Sequence, residues 1–109
     1  MPLSEKARVE VYIPDLPAPA YHELPERLER EFTFGFGGCI IMHGLSGSYL
    51  SDLGVPIRNR VTLIYTDLPY ALSSHLSVLS NYADELRNAA FVALGEEAIL
   101  VTVTQVYHP

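Results

Sequence analysis

The chain is 109 residues long, 49% apolar and 18% charged, with a formal net charge of −6. That length holds one hydrophobic core and no second domain, and the composition is that of a globular chain, not a disordered one. The acidic excess argues against nucleic acid or an anionic membrane surface as the main partner, since both need a basic face.

No apolar run approaches the roughly 20 residues of a membrane span, and Met1 to Arg8 lacks the apolar core of a signal peptide. The single cysteine, Cys39, permits no internal disulfide and no cysteine-based zinc site. It agrees with a reducing compartment, and a cytoplasmic location is the expectation.

Residues 1 to 7 read as a loose tail on a single domain spanning 1–109. From Arg8 to Ile13 the chain alternates, with Val9, Val11 and Ile13 on one side and Arg8, Glu10 and Tyr12 on the other, the pattern of a half-buried strand. Pro14, Pro17 and Pro19 end it and force an extended connection. Tyr21, Leu24, Leu28 and Phe32 then recur at helical spacing. Pro25 is tolerated only in a first turn, so the regular helix is expected to begin near Glu23 or Leu24. Its polar face carries Glu26 and Arg30 at the spacing of an i, i+4 ion pair.

Gly35, Gly37 and Gly38 stop this helix. A second strand is expected from Cys39 to about Leu50, bent or bulged at Gly44 and Gly47. Ser51 to Pro56 reads as a hairpin loop with Gly54 and Pro56 as turn residues, and Ile57 to Thr66 as the third strand. Ser73 or Ser74 is the expected N-cap of a second helix, whose stripe Leu72, Leu76, Leu79, Ala83, Leu86, Ala90, Ala93 ends at Gly95. Ala98 to Tyr107 is the last strand.

The order is βαββαβ, which predicts an α+β, ferredoxin-like sandwich: a four-stranded antiparallel sheet with the first and third strands inside and two helices on one face. The other sheet face is open and not fully polar, because one side of the last strand carries Val101, Val103 and Tyr107 and the other Leu100 and Val106. Such a face is commonly covered by another subunit, so a homodimer packed sheet to sheet, or a higher ring, is expected.

Four stretches, Phe36-Gly37-Gly38-Cys39, Gly44-Leu45-Ser46-Gly47-Ser48-Tyr49, Arg60-Val61-Thr62-Leu63-Ile64-Tyr65 and Gly95-Glu96-Glu97-Ala98-Ile99-Leu100, resemble a family of small, uncharacterised bacterial proteins over most of residues 9 to 107. The resemblance implies a ferredoxin-like fold and carries no settled activity. Tyr49 stands where that family often has Trp, keeping an aromatic platform without the indole donor. A weaker likeness in layout is to the PII-type signalling trimers, with Leu45 to Arg60 as their loop. Gly95-Glu96-Glu97 is acidic where those proteins cradle nucleotide phosphates, which counts against nucleotide sensing.

No P-loop, metal-spaced histidine pair, Gly-x-Ser-x-Gly or Cys-x-x-Cys is present. Gly35-x-Gly37 follows a helix instead of opening one and is no dinucleotide motif. Neither cofactor nor metal is expected. Candidate catalytic groups are His43, Tyr49, Arg58 and Glu97, as acid, base or anion clamp; candidate ligand-binding groups are Tyr12, Tyr49, Arg58 and Arg60.

Arg58 and Arg60 point the same way along a strand and suit a carboxylate, or equally pair with Asp52, Glu10 or Glu97. The strand tyrosines Tyr12, Tyr49, Tyr65 and Tyr107 line a pocket or form a dimer core. His22, His43, His75 and His108 are otherwise independent surface groups, and Cys39 an inert thiol. The expected function is therefore a homo-oligomeric module that binds a small molecule or a partner. The alternative is a small cofactor-free enzyme of the dimeric α/β-barrel kind, with its pocket between sheet and helices.

Overall fold

The computed structural model describes residues 3–95 and 99–109, with only the backbone at Tyr49. Its elements are β1 (Ser4–Pro14), α1 (Ala20–Phe36), β2 (Ile40–Leu50), β3 (Pro56–Leu68), α2 (Leu76–Leu94) and β4 (Leu100–His108). The strands form one antiparallel sheet in the order β2-β3-β1-β4. This is the predicted ferredoxin-like α+β layout, with the first and third strands inside. No helix among the described residues is long and apolar enough to cross a membrane.

Strand alternation sorts every side chain to one of two faces. Val9, Val11 and Ile13 on β1 pair with Thr66, Ile64 and Thr62 on β3; Val9 and Val11 also pair with Val103 and Val101 on β4. This face receives Tyr21, Leu24, Leu28 and Phe32 from α1 and Leu79, Leu86 and Ala90 from α2, all in one buried cluster. Phe32, Ile13, Ile64, Leu68, Leu79, Val9 and Val11 are its largest fully buried side chains, each contributing about 1.5–3 kcal/mol relative to exposure. Thr66 is buried among them, and its hydroxyl donates to the Gly38 carbonyl at 2.7 Å, which ties the end of α1 to the sheet.

Several boundaries differ from expectation for physical reasons. β1 starts at Ser4, not Arg8, because β4 runs to His108 and pairs with it along the whole stretch; Met1 and Pro2 lie outside the described residues. α1 starts at Ala20, three or four residues early. Pro19 already holds helical dihedrals (φ −55, ψ −31) and its carbonyl accepts from His22 and Glu23, both at 3.0 Å, so its fixed φ prepares the helix instead of blocking it. Pro25 falls inside the helix on its buried side, with no N–H to donate. Gly35 is helical too, and the stop is Gly37 at φ +91, donating to Thr33 O at 3.0 Å. Glu26 and Arg30 stand at ion-pair spacing on the polar side of α1 and make no salt bridge among the described residues.

In β2 the register shifts between Met42 and Leu45, at Gly44 (φ +71), so one of the two expected bends is a bulge. Gly47 is regular and pairs with Asn59; a Cβ there would stand 3.1 Å from Val61 Cγ2. The hairpin loop is 51–55, and Pro56 pairs with Leu50 as the start of β3. No serine caps α2: His75 holds the N-cap position without a capping bond from its side chain, whose Nδ1 lies 3.3 Å from the Ala71 carbonyl instead, and Ser74 and His75 donate their backbone N–H groups to Ala71 and Leu72 in the preceding turn.

Because β1 ends at Pro14 opposite Val61, the β2–β3 hairpin projects beyond the sheet and helps to draw the molecule out to 48 Å by 29 Å by 25 Å.

Candidate functional site

The same alternation that buries Val9 and Val11 turns Arg8, Glu10 and Tyr12 to the open face. Asp67, Tyr65, Leu63 and Val61 join them from β3, Leu100, Thr104, Val106 and His108 from β4, and Ile40, Met42 and Leu45 from β2. The outward side of the last strand is therefore the one bearing Leu100 and Val106.

Arg8 and Asp67 are direct cross-strand partners. Arg8 Nε donates to Asp67 Oδ1 at 2.7 Å and Nη2 to Oδ2 at 3.1 Å, while His108 Nε2 lies 2.7 Å from the same Oδ2. The guanidinium also stacks 4.3 Å over the Tyr65 ring. Hydrogen bonding from Arg8 holds the Asp67 carboxyl below its usual range, against the opposing effect of burial, and His108 adds to the lowering; the Arg8 guanidinium is raised by the same bond. Beside this group Tyr12 OH donates to Glu10 Oε2 at 2.8 Å and Thr104 Oγ1 to Glu10 Oε1 at 3.4 Å. The Glu10 bond, then desolvation, pushes the Tyr12 phenol up.

Next to these polar groups the face is apolar. Leu63 is buried, yet Ile40 is 50% exposed, Met42 44% and Leu100 56%. The face carries two cationic residues, Lys6 and Arg8, and two anionic ones, Glu10 and Asp67, so it is formally neutral on a chain of net charge −6. Among the described residues no buried side-chain polar atom lacks a hydrogen-bond partner.

On the helix side a cleft of about 380 Å³ opens between α1 and the β2–β3 edge. His43 stands in it, placed by the Gly44 bulge, with Nδ1 3.3 Å from Thr62 Oγ1. His22, Glu26 and Glu29 face it from α1 and Asp15 from the connection before the helix. Imidazole and carboxylate groups in one cleft are able to move protons. Among the described residues no three His, Cys, Asp or Glu side chains converge to hold a metal ion.

The structure does not gather all the predicted site residues. Arg58 and Arg60 share the phase of Thr62 and lie exposed on the helix side of the projecting hairpin, outside the lining of the His43 cleft. Neither makes an ion pair among the described residues; Glu10, one suggested partner, binds Tyr12 and Thr104 instead. Tyr12 lies on the opposite face. At Tyr49 the backbone pairs with Ile57, and Glu97 lies outside the described residues.

The Arg8–Asp67–His108 group is not recognisable in the sequence, where Asp67 reads as a lead into the second helix. Only the register of β1 against β3 and β4 joins these positions. No protein-family model matches the chain, and no curated protein matches it, so the likeness to a bacterial family rests on its four short motifs alone.

Proposed function

We propose that this chain is a self-associating interaction module in which two copies stack through their open sheet faces. The observation that supports this is the charge pattern: the open face is formally neutral, with Arg8, Asp67 and Glu10 bonded within it, while the rest of the surface carries the net charge of −6. The six excess negative charges therefore lie outside this face, so copies that meet through it avoid them. Approaching by this one, they cover Ile40, Met42 and Leu100 while Asp67 and Glu10 keep their own donors, and Lys6, near the sheet end, is the one charge of the face without a bonded partner among the described residues. Size agrees: four strands about 4.8 Å apart and about nine residues long make a face of roughly 600 Å² before corrugation, near the ~800 Å² per partner of a standard interface. A two-fold axis through the face makes the contact self-complementary and closed.

The test is sedimentation equilibrium at about 10 to 100 µM. The wild-type chain is expected at twice its 12.1 kDa, and Met42→Glu with Leu100→Glu, both at exposed positions, at the single-chain mass with an unchanged circular dichroism spectrum. A wild-type monomer throughout this range overturns the proposal.

A second reading, the small cofactor-free enzyme, is favoured by one observation: His43 and His22 share the cleft between α1 and the sheet with three carboxylates, Asp15, Glu26 and Glu29. It requires that a turnover found in a screen of acid–base reactions be lost on His43→Ala.

A further inference from the structure

A separate cavity of about 360 Å³ lies in the helix layer, away from the open face and from the His43 cleft. Three aromatic rings from three different segments line it: Phe36 from the last turn of α1, Tyr70 from the β3–α2 connection and Tyr82 from the middle of α2. Leu68 and Leu79, both fully buried, contribute its apolar base, and Glu85 stands at its wall.

Each ring is braced. Phe36 meets Tyr82 edge-on at 5.7 Å and 72° and Phe32 at 6.4 Å. The Tyr82 hydroxyl donates to Glu31 Oε2 at 3.3 Å, and Tyr70 rests on the His75 ring at 5.1 Å. Gly37, left-handed at φ +91, ends α1 directly after Phe36 and so sets where that ring stands. No Lys, Arg or His lines the cavity, and Glu85 makes no ion pair among the described residues.

We propose that this cavity is a binding site for an alkylated ammonium group, of the quaternary or trimethylammonium class. Ring faces present negative potential to a cation, and the Glu85 carboxylate supplies the countercharge. The apolar base of Leu68 and Leu79 suits a cation clothed in methyl groups, which has no N–H to satisfy. A primary ammonium is a compact, strongly hydrated charge whose water shell the three rings and the apolar base replace poorly, although Asn81 and Glu85 offer acceptors, and an anion meets Glu85. The volume lies within the range of small-molecule sites and leaves room for a short chain on the nitrogen. The inference is independent of self-association, since none of the residues it uses lies on the open sheet face.

The test is a heteronuclear NMR titration of the full chain with choline, with its neutral carbon isostere 3,3-dimethyl-1-butanol, and with the anion 3,3-dimethylbutyrate. Choline is expected to shift the Phe36, Tyr70 and Tyr82 signals at least about ten-fold more tightly than the alcohol, with no shift from the acid. Glu85→Gln, at an exposed position, is expected to weaken choline about five-fold or more and leave the alcohol unchanged. Equal affinity for choline and the alcohol reduces the cavity to an apolar pocket and overturns the proposal. So does an absence of shifts at these rings with choline at about 50 mM, a concentration beyond any useful affinity.

Discussion

Arg8 and Asp67 face each other across β1 and β3 as a two-point pair, Nε to Oδ1 at 2.7 Å and Nη2 to Oδ2 at 3.1 Å. Planar guanidinium and carboxylate match in this geometry, which makes the pair stronger than a single-point contact. It also closes the charge of both residues on each other, and that closure permits the face around them to be covered.

Asp67→Asn is expected to cost about 1–2 kcal/mol at neutral pH, the lower part of the range for charged hydrogen bonds because Arg8 is partly solvated. The Asp67 carboxyl is lowered in the fold, first by Arg8. Its contribution is therefore fully present above the ordinary carboxylate value and is lost as pH falls through the lowered folded value. Urea unfolding from pH 7 to pH 2 checks this: the wild type should lose stability below about pH 4 more steeply than Asp67→Asn. Parallel curves would contradict the pairing.

Tyr82 and Tyr12 are expected to ionise above the ordinary phenol value. Burial, then the Glu31 carboxylate, holds the Tyr82 phenol well above the usual range; Tyr12 is raised by its bond to Glu10. For a raised phenol the stabilisation is present below the unfolded value near 10 and fades as pH rises through the folded one. In a phenolate absorbance titration Tyr82→Phe should remove amplitude only from the most alkaline part of the curve. Removal from the portion near pH 10 would contradict the burial of that ring.

Phe32 is 0% exposed and sits where α1 meets the sheet. Phe32→Ala should destabilise by about 3–5 kcal/mol, measured by denaturant midpoint at constant m. A loss under about 1 kcal/mol would mean that α1 does not depend on this contact.

Gly44 holds φ +71 at the β2 bulge, a conformation that costs a residue with a Cβ about 1–2 kcal/mol. Gly44→Ala should lower stability by about 1 kcal/mol and shift the His43 imidazole signals, since the bulge sets that side chain beside Thr62. Unchanged His43 signals would show that the bulge does not position it.

Much of the fold was legible because burial imposes period on sequence. Val9, Val11 and Ile13 alternate, and Leu24, Leu28 and Phe32 step by four, as a sheet face and a helix stripe require. The glycines after each helix, Gly37 and Gly95, are both left-handed C-caps. What escaped depends on partners far away in the chain. Ser4 is a strand residue only because His108 lies beside it, and Pro19 suits a helix start as well as a strand end, so its own φ does not choose between them. Gly47 resembles Gly44 locally and differs only in standing over Val61. The candidate site was less legible still. His43, Arg58 and Arg60 do share the helix side, but the phase past Gly44 shifts with the bulge, and Asp67 acquires its two partners only through the register of three strands.

The most direct test of the self-association account is an isotope-filtered nuclear Overhauser measurement on an equal mixture of labelled and unlabelled chain. The account requires contacts between chains that involve Met42, Leu63 and Leu100 on the open face. Contacts between chains confined to the exposed helix residues Phe34 and Val92, or none at all, would contradict it.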